Sequence, residues 1–266
     1  GPARRVRPAS SPARAATGAA GSAPPRLTHQ AALWIAGQGF DLIHLHDCLG
    51  LGAGLAAARR AGIILWRTPL VVTVHGPTPW HRDGNALPVE PHHLHIDHAE
   101  RLQIALADQM VTPSAWMRDW LLAEDYRLPA GQAVLPNLLA ASARPMPEAA
   151  VRRATGSTRP IRELVFFGRL EPRKGLDSFC AAVTLLAARG LRPAKVTFLG
   201  RLDRESGAEE LLEARHAWPF PSQVIEGYDS QTALRALLES EALAVIPSRR
   251  DNLPYTVYEC LANGVP

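Results

Sequence analysis

Short apolar runs alternate with segments of helical period from residue 41 to the end of the chain, and this alternation restricts the fold more than any other feature. Asp41-Leu-Ile-His-Leu-His46, Leu70-Val-Val-Thr-Val-His75, Met110-Val-Thr-Pro113 and Ala133-Val-Leu-Pro136 read as strands. Helices are predicted over about 50–61 and 94–107, and after Ser114, whose hydroxyl can cap a helix start. A second set follows. Strands are predicted at Leu164–Phe167, Val196–Leu199, Val224–Ile225 and Leu243–Ile246, with helices over 175–189, 206–216, 230–240 and 254–263. Near-continuous apolar strands joined by helices belong to parallel sheets covered on both faces. The expectation is two Rossmann-like, doubly wound α/β domains, the first one incomplete.

The stretches between these sets are compositionally distinct. Residues 1–26 hold Ala, Pro, Arg, Ser and Gly with almost no large apolar side chain and are expected to be disordered. Residues 141–160 read as a linker, which leaves 27–140 and 161–266 as the two domains. The chain begins on Gly1 and stops at Pro266 just past a predicted helix, so it is expected to be a piece of a larger protein.

Charge excludes a broad nucleic-acid-binding face. The formal net charge is +4, but Arg4, Arg5, Arg7, Arg14 and Arg26 stand in a segment with no acid, and the remainder carries 24 basic against 25 acidic residues. Three scattered cysteines, Cys48, Cys180 and Cys260, imply neither a disulfide framework nor a zinc site and suit a cytoplasmic protein. No stretch reaches the roughly 20 apolar residues of a membrane helix.

In parallel sheets, ligands bind beyond the carboxyl ends of the strands, so the residues just after each strand matter most. After Phe167 comes Gly168-Arg-Leu-Glu-Pro-Arg-Lys174-Gly175 and then a helix. Gly168 permits a tight turn, Arg169 and Lys174 flank the loop, and the helix start adds free N–H groups: a phosphate-binding arrangement. The chain keeps only two lysines, Lys174 and Lys195, against 27 arginines, which marks Lys174 as a chosen charge. The competing reading is a solvated basic turn.

After Ile246 comes Pro247-Ser-Arg-Arg-Asp251-Asn252-Leu253-Pro254, then Tyr255 to Glu259. Asp251 precedes the helix, and Glu259 lies inside it on the face of Tyr255. The two carboxylates can accept hydrogen bonds from sugar and ribose hydroxyls, and the amides of 252–254 are expected to donate to a sugar. The plainer reading makes Asp251 a helix cap and Glu259 a solvated charge.

Together these motifs resemble family 4 retaining glycosyltransferases, the GT-B group that includes sucrose-synthase-like and lipopolysaccharide transferases. The resemblance covers residues 164–266, through the pyrophosphate loop Gly168-Arg-Leu-x-x-x-Lys-Gly175 and the paired acids Asp251 and Glu259. The family usually has Glu at both acid positions, and this chain has Asp at the first. The small-residue helix end Cys260-Leu-Ala-Asn-Gly-Val-Pro266 also matches. In the first half, Asp41–Asp47 and Val72–Gly76 resemble the acceptor-side strand ends. Asn137 matches the interdomain crossing, and Glu100-Arg101 with Ala107-Asp108 match a structural connecting helix. Gly76–Asn85 looks like the acceptor loop of surface-polysaccharide transferases.

The resemblance implies a nucleotide diphosphate sugar as donor, a glycan or glycolipid as acceptor, no metal or other cofactor, and a place in a bacterial cytoplasm, peripheral to the inner membrane face. It implies His75, Arg169, Lys174 and Asp251 as catalytic residues, His75 facing the donor sugar. Gly168, Arg169, Lys174, Asp251, Asn252, Leu253 and Glu259 would bind the donor. A nucleotide-sugar-binding remnant without turnover is the alternative. An epimerase or phosphorylase on the same architecture is a third reading, and a phosphorylase needs a pyridoxal lysine.

Two histidine groups remain. His92, His93, His95 and His98, with Asp97 and Glu100, suggest a metal site, but no matching ligand group stands elsewhere. His44 and His46 alternate on one strand and are expected on opposite faces, with at least one in the core.

Overall fold

The computed structural model describes residues 25–138, 161–240 and 242–266. The expected linker over 141–160 and nearly all of the expected disordered segment lie outside these residues. Pro25 and Arg26, included in that segment, begin a helix instead.

The first unit holds helix α1 (Pro25–Ala36), strand β1 (Ile43–His46), α2 (Ala53–Arg60), β2 (Leu70–Thr73), α3 (Thr78–Gly84), α4 (Pro91–Ala105), β3 (Gln109–Thr112), α5 (Ala115–Ala123) and β4 (Gly131–Val134). Its four strands pair in parallel in the order β1-β2-β3-β4. Leu70 and Val72 of β2, Met110 of β3, Ile104 of α4, and Met117 and Leu121 of α5 are fully buried and form its core. As expected, Ser114 caps α5, its Oγ accepting from Met117 N at 3.2 Å.

The second unit holds β5 (Glu163–Phe167), α6 (Leu176–Ala188), β6 (Lys195–Leu199), α7 (Ala208–Glu213), β7 (Ser222–Ile225), α8 (Ser230–Glu239), β8 (Ala242–Val245) and α9 (Tyr255–Asn263). Its parallel order is β7-β6-β5-β8. Central β5 is buried on both faces, which is why its sequence is a continuous apolar run. Phe166 packs with Phe179, Phe198 and Trp218 under α6 and α7. Val165 and Phe167 pack with Leu234, Leu237 and Cys260 under α8 and α9.

The chain steps outward from β5 to β6 to β7, then returns to the other side of β5 as β8. That reversal is a topological switch point, and it opens a crevice beyond the carboxyl ends of β5 and β8. The two motif-bearing loops, 168–175 and 247–254, are the ones that leave those two ends.

Three local expectations are corrected. The segment 76–85 is mostly helix α3, started by Pro79 at its first turn, rather than a loop. His44 and His46 do not take opposite faces. Residues two apart on a strand share a face, and the two rings stand 5.4 Å apart. Both are exposed, so neither belongs to the core.

Candidate functional site

Where β5 ends, the chain turns at Gly168 (φ 150°) and passes close to Gly200 (φ 156°) at the end of β6. A Cβ on Gly200 would lie 1.8 Å from Gly168 O, so only glycine lets the two strand ends approach. Pro172–Lys174 then form a single 3-10 turn, and α6 starts after Gly175. The positive end of α6 already has an anion in its own first turn. Asp177 sits there and is held by Arg249 at 2.9 Å, so the positive end of the helix is already matched by a carboxylate.

Those cations have distinct settings. Lys174 is largely buried and forms a close ion pair with Asp251, a direct bridge between the loops after β5 and β8. Burial pushes the Lys174 ammonium below its usual value, and the charge of Asp251 pulls it back. Arg169 is half exposed and lies 3.3 Å from Glu171 Oε1. It lines a cavity of about 430 Å³ with Arg201, Asp203 and Arg204. A neighbouring cavity of about 500 Å³, floored by Phe167, Leu199, Gly200 and Ile225, opens at the carboxyl ends of β5, β6 and β7.

Asp251 does not cap α9: Pro254 occupies the cap position and makes no side-chain cap. Nor is Glu259 free, since Ser230 Oγ donates to its Oε1 at 2.6 Å from the first residue of α8. Beside Ser230, Tyr228, Asp229 and Ala233 line the larger cavity, so Glu259 stands near its rim. The amide expectation for 252–254 is corrected at its last member. Pro254 has no N–H, leaving only Asn252 and Leu253 as backbone donors.

On the first unit, His75 is exposed just past β2. Its N–H and that of Gly76 donate to buried Asp47 Oδ2 at 3.1 and 2.9 Å. Its Nε2 lies 3.1 Å from His46 Nδ1. Glu100 is fully buried and accepts from Leu49 N, Thr78 N and Thr78 Oγ1, which ties down the segments that follow Asp47 and His75. Burial is the largest influence on Glu100 and raises its carboxyl to about 7 despite these donors.

A buried polar cluster that sequence reasoning missed joins the two units. Glu171, Arg173 and Asn85 are all nearly inaccessible. Arg173 Nη2 donates to Glu171 Oε1 at 2.6 Å, and the Arg173 guanidinium stacks over the Trp80 ring at 4.8 Å. In sequence Glu171 and Arg173 are two ordinary loop charges. Nothing local signals that α3 will cover them.

The histidine-rich start of α4 serves the helix. His93 Nδ1 accepts from Glu90 N at 3.0 Å, and His92 lies 3.3 Å from the Glu90 carboxylate. Glu90, His92 and His93 present ligand atoms close enough for an ion, while Asp97 holds Arg101 and Tyr126.

With this geometry established, similarity to known proteins decides the family. The profile of Glycosyltransferase Family 4 matches residues 3–138, and that of Glycosyl transferases group 1 matches residues 161–266. The chain belongs to glycosyltransferase family 4. Among curated proteins it is 24% identical over 246 residues to D-inositol 3-phosphate glycosyltransferase of Thermobispora bispora, covering 85% of this chain and 54% of that protein. Among solved structures, sucrose-phosphate synthase of Thermosynechococcus elongatus has a TM-score of 0.65 at 17% identity, covering 91% of this chain and 59% of its own. The Anabaena protein HepE in complex with UDP has a TM-score of 0.59 at 15% identity, covering 91% and 62%. The two sheets thus have the GT-B architecture, and the family 4 chain spans between about half and six tenths of the length of these relatives.

Proposed function

We propose that this family 4 chain carries the donor cleft of a transferase that moves a hexose from a nucleotide diphosphate sugar to a hydroxyl of a glycan or glycolipid, with retention of configuration. The observation that carries this reading is the Lys174–Asp251 pair at the β5/β8 switch point, flanked by Arg169 and by Glu259 near the rim of an adjoining cavity.

In this reading the nucleoside occupies the cavity at the ends of β5, β6 and β7, and Glu259 with Ser230 holds the ribose. Arg169 and Lys174 receive the diphosphate and stabilise the negative charge that grows on it as the glycosidic bond breaks. Donor binding separates Lys174 from Asp251: the ammonium turns to phosphate and the carboxylate to sugar hydroxyls. The N–H groups of Asn252 and Leu253 donate to the sugar, and His75 orients it from the first unit. The acceptor attacks from the face the diphosphate leaves, so no enzymic nucleophile is assigned. The cations supply the charge that a metal would, and we propose no cofactor. We place the reaction in the cytoplasm, against the inner membrane face for a glycolipid acceptor. Among the described residues no helix is long and apolar enough to cross a membrane.

A second reading, nucleotide-sugar binding without turnover, draws on Asp251. Its side chain is one methylene shorter than the Glu usual for the family and is already engaged by Lys174. Calorimetric titration with UDP, GDP and ADP, alongside Lys174→Ala, tests the cleft. One diphosphate should bind, at least tenfold more weakly to the variant. A folded chain that binds none of the three refutes the proposal. Binding without transfer or hydrolysis of the matching sugar nucleotide favours the second reading.

A further inference from the structure

Asn252 belongs to the second unit, yet both polar ends of its side chain are bound to the first. Its Nδ2 donates to His75 O at 3.0 Å, and its Oδ1 accepts from the Ser114 hydroxyl. The orientation of the amide follows from the partners. A backbone carbonyl only accepts, so the NH₂ group must face His75, and Oδ1 is left for Ser114. The Ser114 oxygen in turn caps α5 through Met117 N and is therefore fixed by its helix.

The backbone of His75 is thus held on both sides of its Cα. Asp47 accepts its N–H from within the first unit, and Asn252 donates to its carbonyl from the second. The neighbour of Asn252 is Asp251, the partner of Lys174. A continuous line of contacts runs from the phosphate loop, through two adjacent residues after β8, to the histidine beyond β2.

We infer that Asn252 is a positioning residue, its side chain setting His75 against the sugar end of the donor so that the two units meet in one register. The inference rests on the nucleotide-sugar reading of the cleft. The backbone of Asn252 serves the donor directly, and its side chain acts through His75. A diphosphate alone does not reach His75, whereas a sugar nucleotide does. The signature is therefore the affinity that the hexose adds to the nucleotide.

The experiment has two arms, run on wild type, Asn252→Ala and Asn252→Asp. In the ligand-free protein, the His75 imidazole resonance, assigned by its loss in His75→Gln, reports the contact. It should be single and narrow in wild type and displaced or broadened in Asn252→Ala. A wild-type-like resonance in that variant overturns the inference, whatever nucleotide binds. In the second arm, UDP is compared with UDP-glucose and GDP with GDP-mannose. Asn252→Ala should lose at least fivefold of the gain in affinity that the sugar adds to the diphosphate. Equal weakening of diphosphate and sugar nucleotide, or an unchanged gain, overturns it.

Asn252→Asp keeps the shape and so guards against a fold defect. Its carboxylate repels the His75 carbonyl at neutral pH, and its protonated form can donate to it. Measured against wild type at the same pH, so that the neighbouring Asp251, Lys174, His75 and His46 contribute alike, the gain from the sugar should return as pH falls toward 4, and a pH-independent loss counts against the inference. If wild type binds none of these nucleotides, the reading of the cleft fails, and the resonance arm alone decides the place of Asn252.

Discussion

Asn85 Nδ2 donates to Glu171 Oε2 at 3.0 Å across the junction of the two units, while Asn85 Oδ1 accepts from Arg173 N at 2.8 Å. A single amide just past the end of α3 therefore satisfies both a side chain and a backbone group of the loop after β5. Breaking a buried ion pair from one side leaves the other charge unpaired, at a cost of about 3–5 kcal/mol. Glu171→Ala, which strands buried Arg173, should lower stability by that amount in urea unfolding. Asn85→Ala should cost about 1–3 kcal/mol. If Glu171→Ala is neutral, the cluster does not hold the units together.

The same carboxylate gives an acid-sensitive term. Burial alone would raise Glu171, but His81 at 3.6 Å, the charges of Arg173 and Arg169, and Asn85 together bring it down to about 2. Its folded value lies below the unfolded one, so this stability is complete above the usual carboxylate range near pH 4 and is lost as pH falls through about 2. Wild type should show that loss in acid titrations followed by circular dichroism, and Glu171→Gln should not.

Glu100 has the opposite sign. Held at about 7 in the folded state, it binds a proton more tightly there than in the unfolded chain. Stability should fall as pH rises from about 4.5 to about 7, by up to ~3 kcal/mol from this group. Glu100→Gln should flatten that slope in urea denaturation at pH 5 and pH 8, at the expense of one of the contacts to Leu49 or Thr78. A slope that survives the substitution assigns it elsewhere, Asp47 being the other buried carboxyl whose value burial raises.

Gly175 has a φ of 78° and packs so closely on the loop after β8 that a Cβ would lie 2.1 Å from Pro247 O. Gly175→Ala combines left-handed strain with a backbone clash and should destabilise by roughly 2 kcal/mol or more. It should also separate Lys174 from Asp251, lowering nucleotide affinity in calorimetry along with the melting temperature.

For Glu259, the proposed ribose contact predicts selective loss. Glu259→Ala should weaken nucleotide binding about tenfold, or about 1.4 kcal/mol. The variant should no longer distinguish a nucleoside diphosphate from its 2′,3′-dideoxy analogue. A discrimination that persists would place the ribose away from Glu259.

Much of the fold was legible because it depends on local patterns. The run Leu164-Val-Phe-Phe167 announces a strand buried on both faces, and Ser114 announces a helix start. The loop after β5 and the acids Asp251 and Glu259 were readable because the residues of each group stand close together in sequence. Helix α1 was missed because its apolar residues form a short stripe next to a Pro-rich, Arg-rich stretch, and α3 because two prolines mask its start. The histidines of β1 were misassigned by an error of period rather than for want of signal.

The sequence by itself determined most of the elements, the parallel sheets and the two loop motifs after β5 and β8, since side-chain period and loop chemistry act over a few residues. Only the tertiary structure decided which charges meet. Lys174 and Asp251 are 77 positions apart, Asn85 and Glu171 are 86 apart, and His75 and Asn252 are 177 apart. Whether such groups are solvated or buried and paired depends on sheet order and on how the two units pack, and no local pattern in the chain carries that information.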